Sequence, residues 1–433
     1  MDKPVLTPDI IKRCNPGVND FGLGQLMALA SQCLRSAKTP TACDICLDVC
    51  PVGALASEKG ARPHATTACI KCGVCISACP VNALAGSLRT IQQINRLILQ
   101  ATLRVDRLAI TCERTCALLR LKQETDAADE AERDLALIDA AVKSEHLYKV
   151  PCLGMLSREI WFSALSEIGF SRLHELLVYL PVGQCDNCPA NALGTVEDAF
   201  SRAIAIAEEW SGETVGLVMD AAELPQARHA NVRAYLMSET EVDRRGVFTG
   251  FVEELKASWD ESTRVGNRAL DETQRQRVRK QTFERTRLWA VSRAPKLPGK
   301  QPIATPLRYI LIEAVGRHPQ NAKNVRLITA TTDDELCTRC GACVDACPVH
   351  TRRLIEGEAA TAGTEATEAA DAEGAANTAA AAEATDATPS FIMTDSMYCM
   401  ACSACLQVCP TKACHFDETD GSTFLLDQDS SGQ

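Results

Sequence analysis

Cysteine is crowded just ahead of proline at four places in this chain, and no other feature restricts its folding as much. Residues 69–80 read CIKCGVCISACP, residues 337–348 read CTRCGACVDACP, and residues 399–410 read CMACSACLQVCP. Each run is Cys-x2-Cys-x2-Cys-x3-Cys-Pro. Residues 43–51, CDICLDVCP, repeat it without the first cysteine, whose place is taken by Pro40. Three cysteines spaced by two residues can wrap a tight loop with each thiol aimed inward, while a fourth, three residues on, faces a neighbouring site. The proline donates no backbone hydrogen bond and disfavours helix at the residue before it, so it fixes the chain's exit from the loop. Small residues inside the loops (Gly73, Gly341, Ala342, Ala401 and Ser403) let the backbone approach whatever the thiols hold.

This spacing is the ligand run of [4Fe–4S] clusters. Three intact copies give three such sites, and the near-copy at 43–51 gives a fourth. The rival ion is zinc, and a zinc-binding scaffold is the corresponding rival function. Structural zinc takes two Cys-x2-Cys knuckles across a longer spacer, whereas here the third and fourth cysteines follow at once with proline next. Disulfides are disfavoured too. The start of the chain, MDKPVLTPDIIKRC, has neither a secretory apolar region nor a twin-arginine signal, and with 23 cysteines we expect a cytoplasmic, metal-loaded protein.

A length of 433 residues implies two to four domains. No run of 18 apolar residues is present, so no membrane span is expected. A net charge of −11 argues against nucleic acid as the partner. Aromatics make up only 4% of the chain, which small metal-stabilised modules tolerate because ligand binding contributes folding energy.

Along the chain, residues 1–32 read as a partly helical lead-in and 33–104 as the first cysteine module, closing on a helix over 87–104. From 105 to 220 short apolar strands alternate with helices: strands at 107–113, 147–154, 175–183 and 214–220, helices at 124–142, 158–169 and 196–210. This βαβα alternation predicts an α/β domain with a parallel sheet, in which sites form at the carboxyl ends of strands. Cys112 and Cys116 end the first strand, Cys152 ends the second, and Cys185 and Cys188 follow the third. Five thiols at one sheet edge predict a further metal site, of [2Fe–2S] type, without specifying which four bind.

Residues 221–330 read as a mostly helical connector. Its 264–300 stretch is basic enough to dock an acidic partner, or simply to form a solvated helix face, and a helix is expected over 305–316. The last module spans 331–428. It is interrupted at 356–390 by an Ala/Glu/Thr-rich insertion with too little apolar surface to order itself. Loop closure grows slowly with length, so the module should tolerate it.

The runs at 43–80 and 337–410 resemble the two-cluster bacterial ferredoxin family. The resemblance covers about a third of the chain and implies α+β ferredoxin-like modules at both ends. The family's pairing implies that Cys337, Cys340, Cys343 and Cys409 hold one cluster, and Cys347, Cys399, Cys402 and Cys405 another. In the first module Cys50, Cys69, Cys72 and Cys75 make a complete set. The remaining set has Cys43, Cys46 and Cys79. Cys33 is the preferred fourth member; the alternatives are Cys14, a [3Fe–4S] cluster, or an empty site. Cys14→Ser is expected to leave cluster content unchanged, and Cys414 is not expected to be a ligand. Over 105–215, TCERTC, VPCLGML and LPVGQCDNCPAN in that order resemble the iron–sulfur delta subunit of methyl-viologen-reducing hydrogenases. That resemblance implies a [2Fe–2S] cluster and a flavin-containing partner.

The expected function is therefore multi-cluster electron transfer between a donor and a partner oxidoreductase containing flavin or metal. The alternative is a fixed electron-input subunit of a hydrogenase, a heterodisulfide reductase or another anaerobic reductase. No GxGxxG loop and no nucleophile–base pair is present, so no catalytic residue is assigned and substrate chemistry is expected on another polypeptide.

Overall fold

In this computed structural model, residues 26–28, 32–36, 42–58, 61–86, 90–122, 128–186, 188–191, 194–226, 302–355 and 390–424 are described. Cys14, the basic stretch 264–300 with most of the connector, and insertion residues 356–389 lie outside them.

The first module is built on two small antiparallel sheets. Strand β1 (Leu26–Ala28) pairs with β4 (Leu84–Gly86), and β2 (Leu55–Ala56) with β3 (His64–Ala65). Helices α1 (Ile45–Asp48) and α2 (Val74–Ala78) lie within the two cysteine runs. The stretch expected as a lead-in thus supplies a strand of the module, which begins before residue 33. Its short apolar LMA sequence carries no local strand signal, and only the partner strand fixes it. Helix α3 (Ile91–Thr102) follows, opened by a capping box: the Thr90 hydroxyl accepts from Gln93 N at 3.2 Å, and Gln93 Oε1 accepts from Thr90 N at 2.9 Å.

The middle domain runs β5 (Arg107–Cys112), α4 (Glu113–Lys122), α5 (Ala128–Lys143), β6 (Leu147–Val150), α6 (Arg158–Leu165), β7 (Glu175–Tyr179), α7 (Thr195–Ser211) and β8 (Val215–Val218). Its sheet is parallel throughout, in the order β6-β5-β7-β8. Alternation along the central strands shows two covered faces. Leu108 and Ile110 of β5 and Leu176 and Val178 of β7 enter one core with Trp161, Phe162 and Trp210. Ala109, Leu177 and Tyr179 enter a second with Ile138 and Leu147. Helix α4 was not expected; its ERTCALLRLK sequence has no clear apolar stripe, and the strand signal of RLAITC runs straight into it.

After the connector, α8 (Pro306–Arg317) packs its buried Ile310, Leu311, Ala314 and Val315 into the first of these cores. It leads to β9 (Arg326–Thr332), which starts ahead of the expected boundary at 331. The last module then mirrors the first. Strand β9 pairs with β12 (Cys414–Asp420), β10 (Arg352–Ile355) with β11 (Phe391–Thr394), and α9 (Ala342–Asp345) and α10 (Ala404–Val408) lie within the runs. Ile355 and Phe391 are register neighbours, so the low-complexity insertion enters and leaves the fold at adjacent points and takes the place of a hairpin turn. No helix among the described residues is long and apolar enough to cross a membrane.

The two modules touch. Ala42 N donates to Gln407 Oε1 at 3.2 Å, and Gln407 Nε2 returns to Ala42 O at 3.4 Å. Asn82 Oδ1 accepts from Leu307 N at 3.2 Å while its Nδ2 donates to Cys79 O at 3.2 Å.

Candidate metal centres

All four Cys-Pro runs end in the same turn. The third residue after each last cysteine has positive φ: Gly53, Asn82, His350 and Lys412. This turn brings the next backbone N–H back onto the sulfur. Ala54 N donates to Cys50 Sγ at 3.2 Å, Ala83 N to Cys79 Sγ at 3.2 Å, and Thr351 N to Cys347 Sγ at 3.3 Å; Ala413 N serves Cys409 in the same way. In the intact runs the second cysteine is flanked by positive-φ residues: Lys71 and Gly73, Arg339 and Gly341, Ala401 and Ser403. The incomplete run lacks this feature, and Asp44 has φ −119°. The left-handed residues bend the loop so that neighbouring thiols face one volume.

Cys50, Cys69, Cys72 and Cys75 line one cavity. Cys337, Cys340, Cys343 and Cys409 line another, with Cys414 on its wall. Around Cys46 stand Cys79, Cys43 and Cys33, near enough to raise its pKa by repulsion after burial has done so, to about 11. Cys402 is likewise surrounded by Cys347, Cys405 and Cys399; burial and these neighbours push it up to about 12. The structure thus brings together the thiols of the three sets that the ferredoxin resemblance implies, and it sets Cys33, the preferred fourth member of the remaining set, beside Cys43, Cys46 and Cys79.

The fifth group is at the carboxyl edge of the sheet. Cys112 at the end of β5, Cys152 after β6, and Cys185 and Cys188 after β7 line one cavity together with Arg114 and Gln184. Cys116 is not among them. One helical turn beyond Cys112, it is buried in the second core with Ala109, Leu119 and Ile138. The periodicity of α4, which the sequence reading did not include, carries it away. Burial and the repulsion of Cys112 push Cys185 up to about 12, and burial holds Cys152 and Cys188 above the ordinary thiol range.

These donors fit iron–sulfur clusters. Buried thiols packed in fours resist ionisation alone, and a multivalent cationic core supplies the missing charge. Cys409 differs: slight burial pushes it up, but hydrogen bonds from Cys414, Thr411 and Ala413 outweigh this and bring it to about 7. Among the described residues no group of three or more His, Cys, Asp or Glu closes on a single-ion position, and all 22 described cysteines are free of disulfides.

Sequence reasoning passed over three arginines at these sites. Arg114, 3% exposed, donates Nη1 to Pro151 O at 2.9 Å and Nη2 to Ile70 O at 2.7 Å. Arg352, 2% exposed, donates Nη1 to Ala330 O at 3.3 Å and lies near Cys405, Cys343 and Cys414. Arg308 donates to Cys399 O; burial lowers it to about 10. An arginine on a charged stretch such as CERTC reads as solvent-facing, so no sequence signal marked them. Gln184 Nε2 donates to Cys112 Sγ at 3.4 Å.

Neighbouring sets abut. Cys343 and Cys405, from the two sets of the last module, share one buried cluster with Cys399. Asn82 and Arg308 join the Cys79 loop to the Cys399 loop through α8. Cys46 is near enough to Cys75 to raise its pKa, and Cys72 shares an apolar cluster with Cys152 and Cys188.

With this geometry in view, residues 336–413 match the family model of the 4Fe-4S dicluster domain, and residues 65–85 match that of the 4Fe-4S binding domain. A search of the curated proteins gives no match for the chain. The chain therefore carries two ferredoxin-type 4Fe-4S domains, one near each end, with a parallel four-stranded sheet between them.

Proposed function

We propose that this chain is an electron-transfer protein with five cluster sites joined in a row. The row runs from Cys337/Cys340/Cys343/Cys409 to Cys347/Cys399/Cys402/Cys405, then Cys33/Cys43/Cys46/Cys79, then Cys50/Cys69/Cys72/Cys75, and ends at Cys112/Cys152/Cys185/Cys188. The observation that carries the reading is that every adjacent pair of thiol sets shares a buried apolar cluster or a hydrogen-bonded link. Clusters bound there, four of [4Fe–4S] type and a [2Fe–2S] in the middle domain, supply one-electron redox chemistry. The chain's residues set the conditions. Apolar burial excludes water, N–H groups donate to sulfur, and buried guanidinium groups supply positive charge; these are the levers on each potential.

The reading places the protein in the cytoplasm, between a donor and an oxidoreductase carrying flavin or metal. The delta-subunit likeness of residues 105–215 supports a flavoprotein partner. Cys340 is exposed at one end of the row and Val182 is 81% exposed beside the other end, so both termini of the row offer surface to a partner.

The test is iron, acid-labile sulfide and zinc per chain on anaerobically purified protein. Four cubanes and one [2Fe–2S] require about 18 irons. About 14 would remove one cubane from the row, and zinc in place of iron and sulfide would sink the reading.

A further inference from the structure

We infer that Arg114 is a positioning residue shared by two redox sites: its buried guanidinium clamps the Cys50/Cys69/Cys72/Cys75 set to the Cys112/Cys152/Cys185/Cys188 set and supplies positive charge to both. The inference rests on the proposal that both sets hold iron–sulfur clusters.

The two carbonyls that Arg114 binds are adjacent to ligand candidates from different sets. Ile70 follows Cys69, and Pro151 precedes Cys152. One rigid planar fork therefore spans two cysteine loops contributed by different domains. Its Nε has no hydrogen-bond partner among the described residues, so the two carbonyls leave part of the group unsatisfied. A buried cation is costly unless negative charge faces it. The thiols near enough to act on this one are Cys152, Cys188, Cys72 and Cys112, drawn from both sets, and they become negative when they bind a cluster.

Two consequences follow. Reduction adds negative charge, so a fixed cation favours the reduced form at each site and raises both potentials. The fork also fixes the spacing of the two loops, which lysine, with one compact ammonium, cannot do for both carbonyls at once. Arg352 likewise lies near thiols of both sets of the last module, Cys343 and Cys405, and those sites provide an internal reference that an Arg114 substitution leaves untouched.

The experiment uses the full chain, purified anaerobically, as wild type, Arg114→Gln, Arg114→Met and Arg114→Lys. Iron and sulfide are counted first, and reduction is then followed by potentiometric titration with electron paramagnetic resonance detection. In the neutral variants, with iron unchanged, the reduction equilibrium of two sites should fall at least tenfold, about 59 mV for a one-electron couple. The sites of the last module should hold their wild-type values. A loaded neutral variant with no shift, or with a shift at only one site, overturns the inference. If both neutral variants lose clusters while Arg114→Lys keeps them, charge alone suffices and the clamp is overturned. Loss of these two clusters in all three, with the last module still loaded, supports the clamp, because lysine keeps the charge but not both carbonyl bonds; loss of clusters throughout the chain reduces Arg114 to a packing role and overturns the inference. A wild-type chain without iron at these two sets refutes the underlying functional proposal instead, and the initial count separates the two failures.

Discussion

Cys33 gives the sharpest test of the site assignment, because it lies outside the repeated spacing. It is 8% exposed, beside Cys43, Cys46 and Cys79, where the incomplete run lacks a thiol. Alanine is the informative substitution, since a serine hydroxyl can still bind iron. Removing one of four thiols leaves two outcomes. The site keeps a three-iron core, and the count falls from about 18 to about 17 per chain, or the site empties and it falls to about 14. The change also deletes one buried sulfur from an apolar wall that includes Leu34, a loss of about 1–2 kcal/mol beyond that of the cluster. The assay is iron and sulfide per chain, with an electron paramagnetic resonance spectrum of the oxidised protein to detect a three-iron signal. An iron count equal to wild type, with no new signal, would refute the assignment of Cys33. Cys14→Ala is the paired control and should leave the count unchanged; a loss of iron there would move the ligand to Cys14.

Further predictions concern the middle domain and its contact with the first module. Cys116→Ala should leave iron unchanged and cost about 1 kcal/mol of stability, because the thiol lies in the second core rather than at the site; missing iron on analysis would return it to the ligand set. Gln184→Leu removes the amide donor to Cys112 Sγ, so the middle site should become harder to reduce by about 1 kcal/mol, or about 40 mV, read by potentiometric titration; an unchanged midpoint would show that this bond has no influence. Gly154→Ala would place a Cβ 2.6 Å from Val196 Cγ1 and 3.2 Å from Val74 Cγ2, wedging the first module off the middle domain. Thermal unfolding should show a loss of about 1–3 kcal/mol, relieved in the Gly154→Ala/Val196→Ala double variant; an unshifted melting transition would show that the interface gives way easily.

What the sequence made legible was local. The cysteine runs carry their own loop geometry in a spacing of a dozen residues, and the βα alternation from 107 to 218 shows in short apolar stretches that the parallel sheet buries on both faces. Features that depend on distant partners were hidden. Strands β1 and β9 exist because β4 and β12 complete them, and neither LMA nor RLITATT announces its pairing. Which thiols of the middle domain gather was decided by α4, whose turn carries Cys116 into the opposite core. Arg114 was invisible for the same reason: its partners Ile70 and Pro151 are 44 and 37 residues away. The contact between Ala42 and Gln407 spans 365 residues, beyond the reach of any pattern along the chain.

The contacts between modules also bear on why one chain should carry two ferredoxin-type domains around an α/β domain. Separate carriers meet by diffusion, and each meeting must desolvate and align two surfaces again. Here the alignment is covalent and buried. Helix α8 is the piece that achieves it. Its apolar residues enter the same core as Ile94 and Ile98 of α3 and Trp161 of α6, so it is anchored to the first module and the middle domain together. From that anchor Leu307 N reaches Asn82 beside the Cys79 loop, and Arg308 reaches Cys399 O. One turn of one helix thus spans the gap between the modules at the point where their thiol sets approach. Truncating Arg308 should therefore loosen the last module from the rest while leaving each module's own sets intact. Limited proteolysis would show faster release of the last module at unchanged iron content, and an undisturbed digestion pattern would show that Gln407 and Asn82 hold the junction without it.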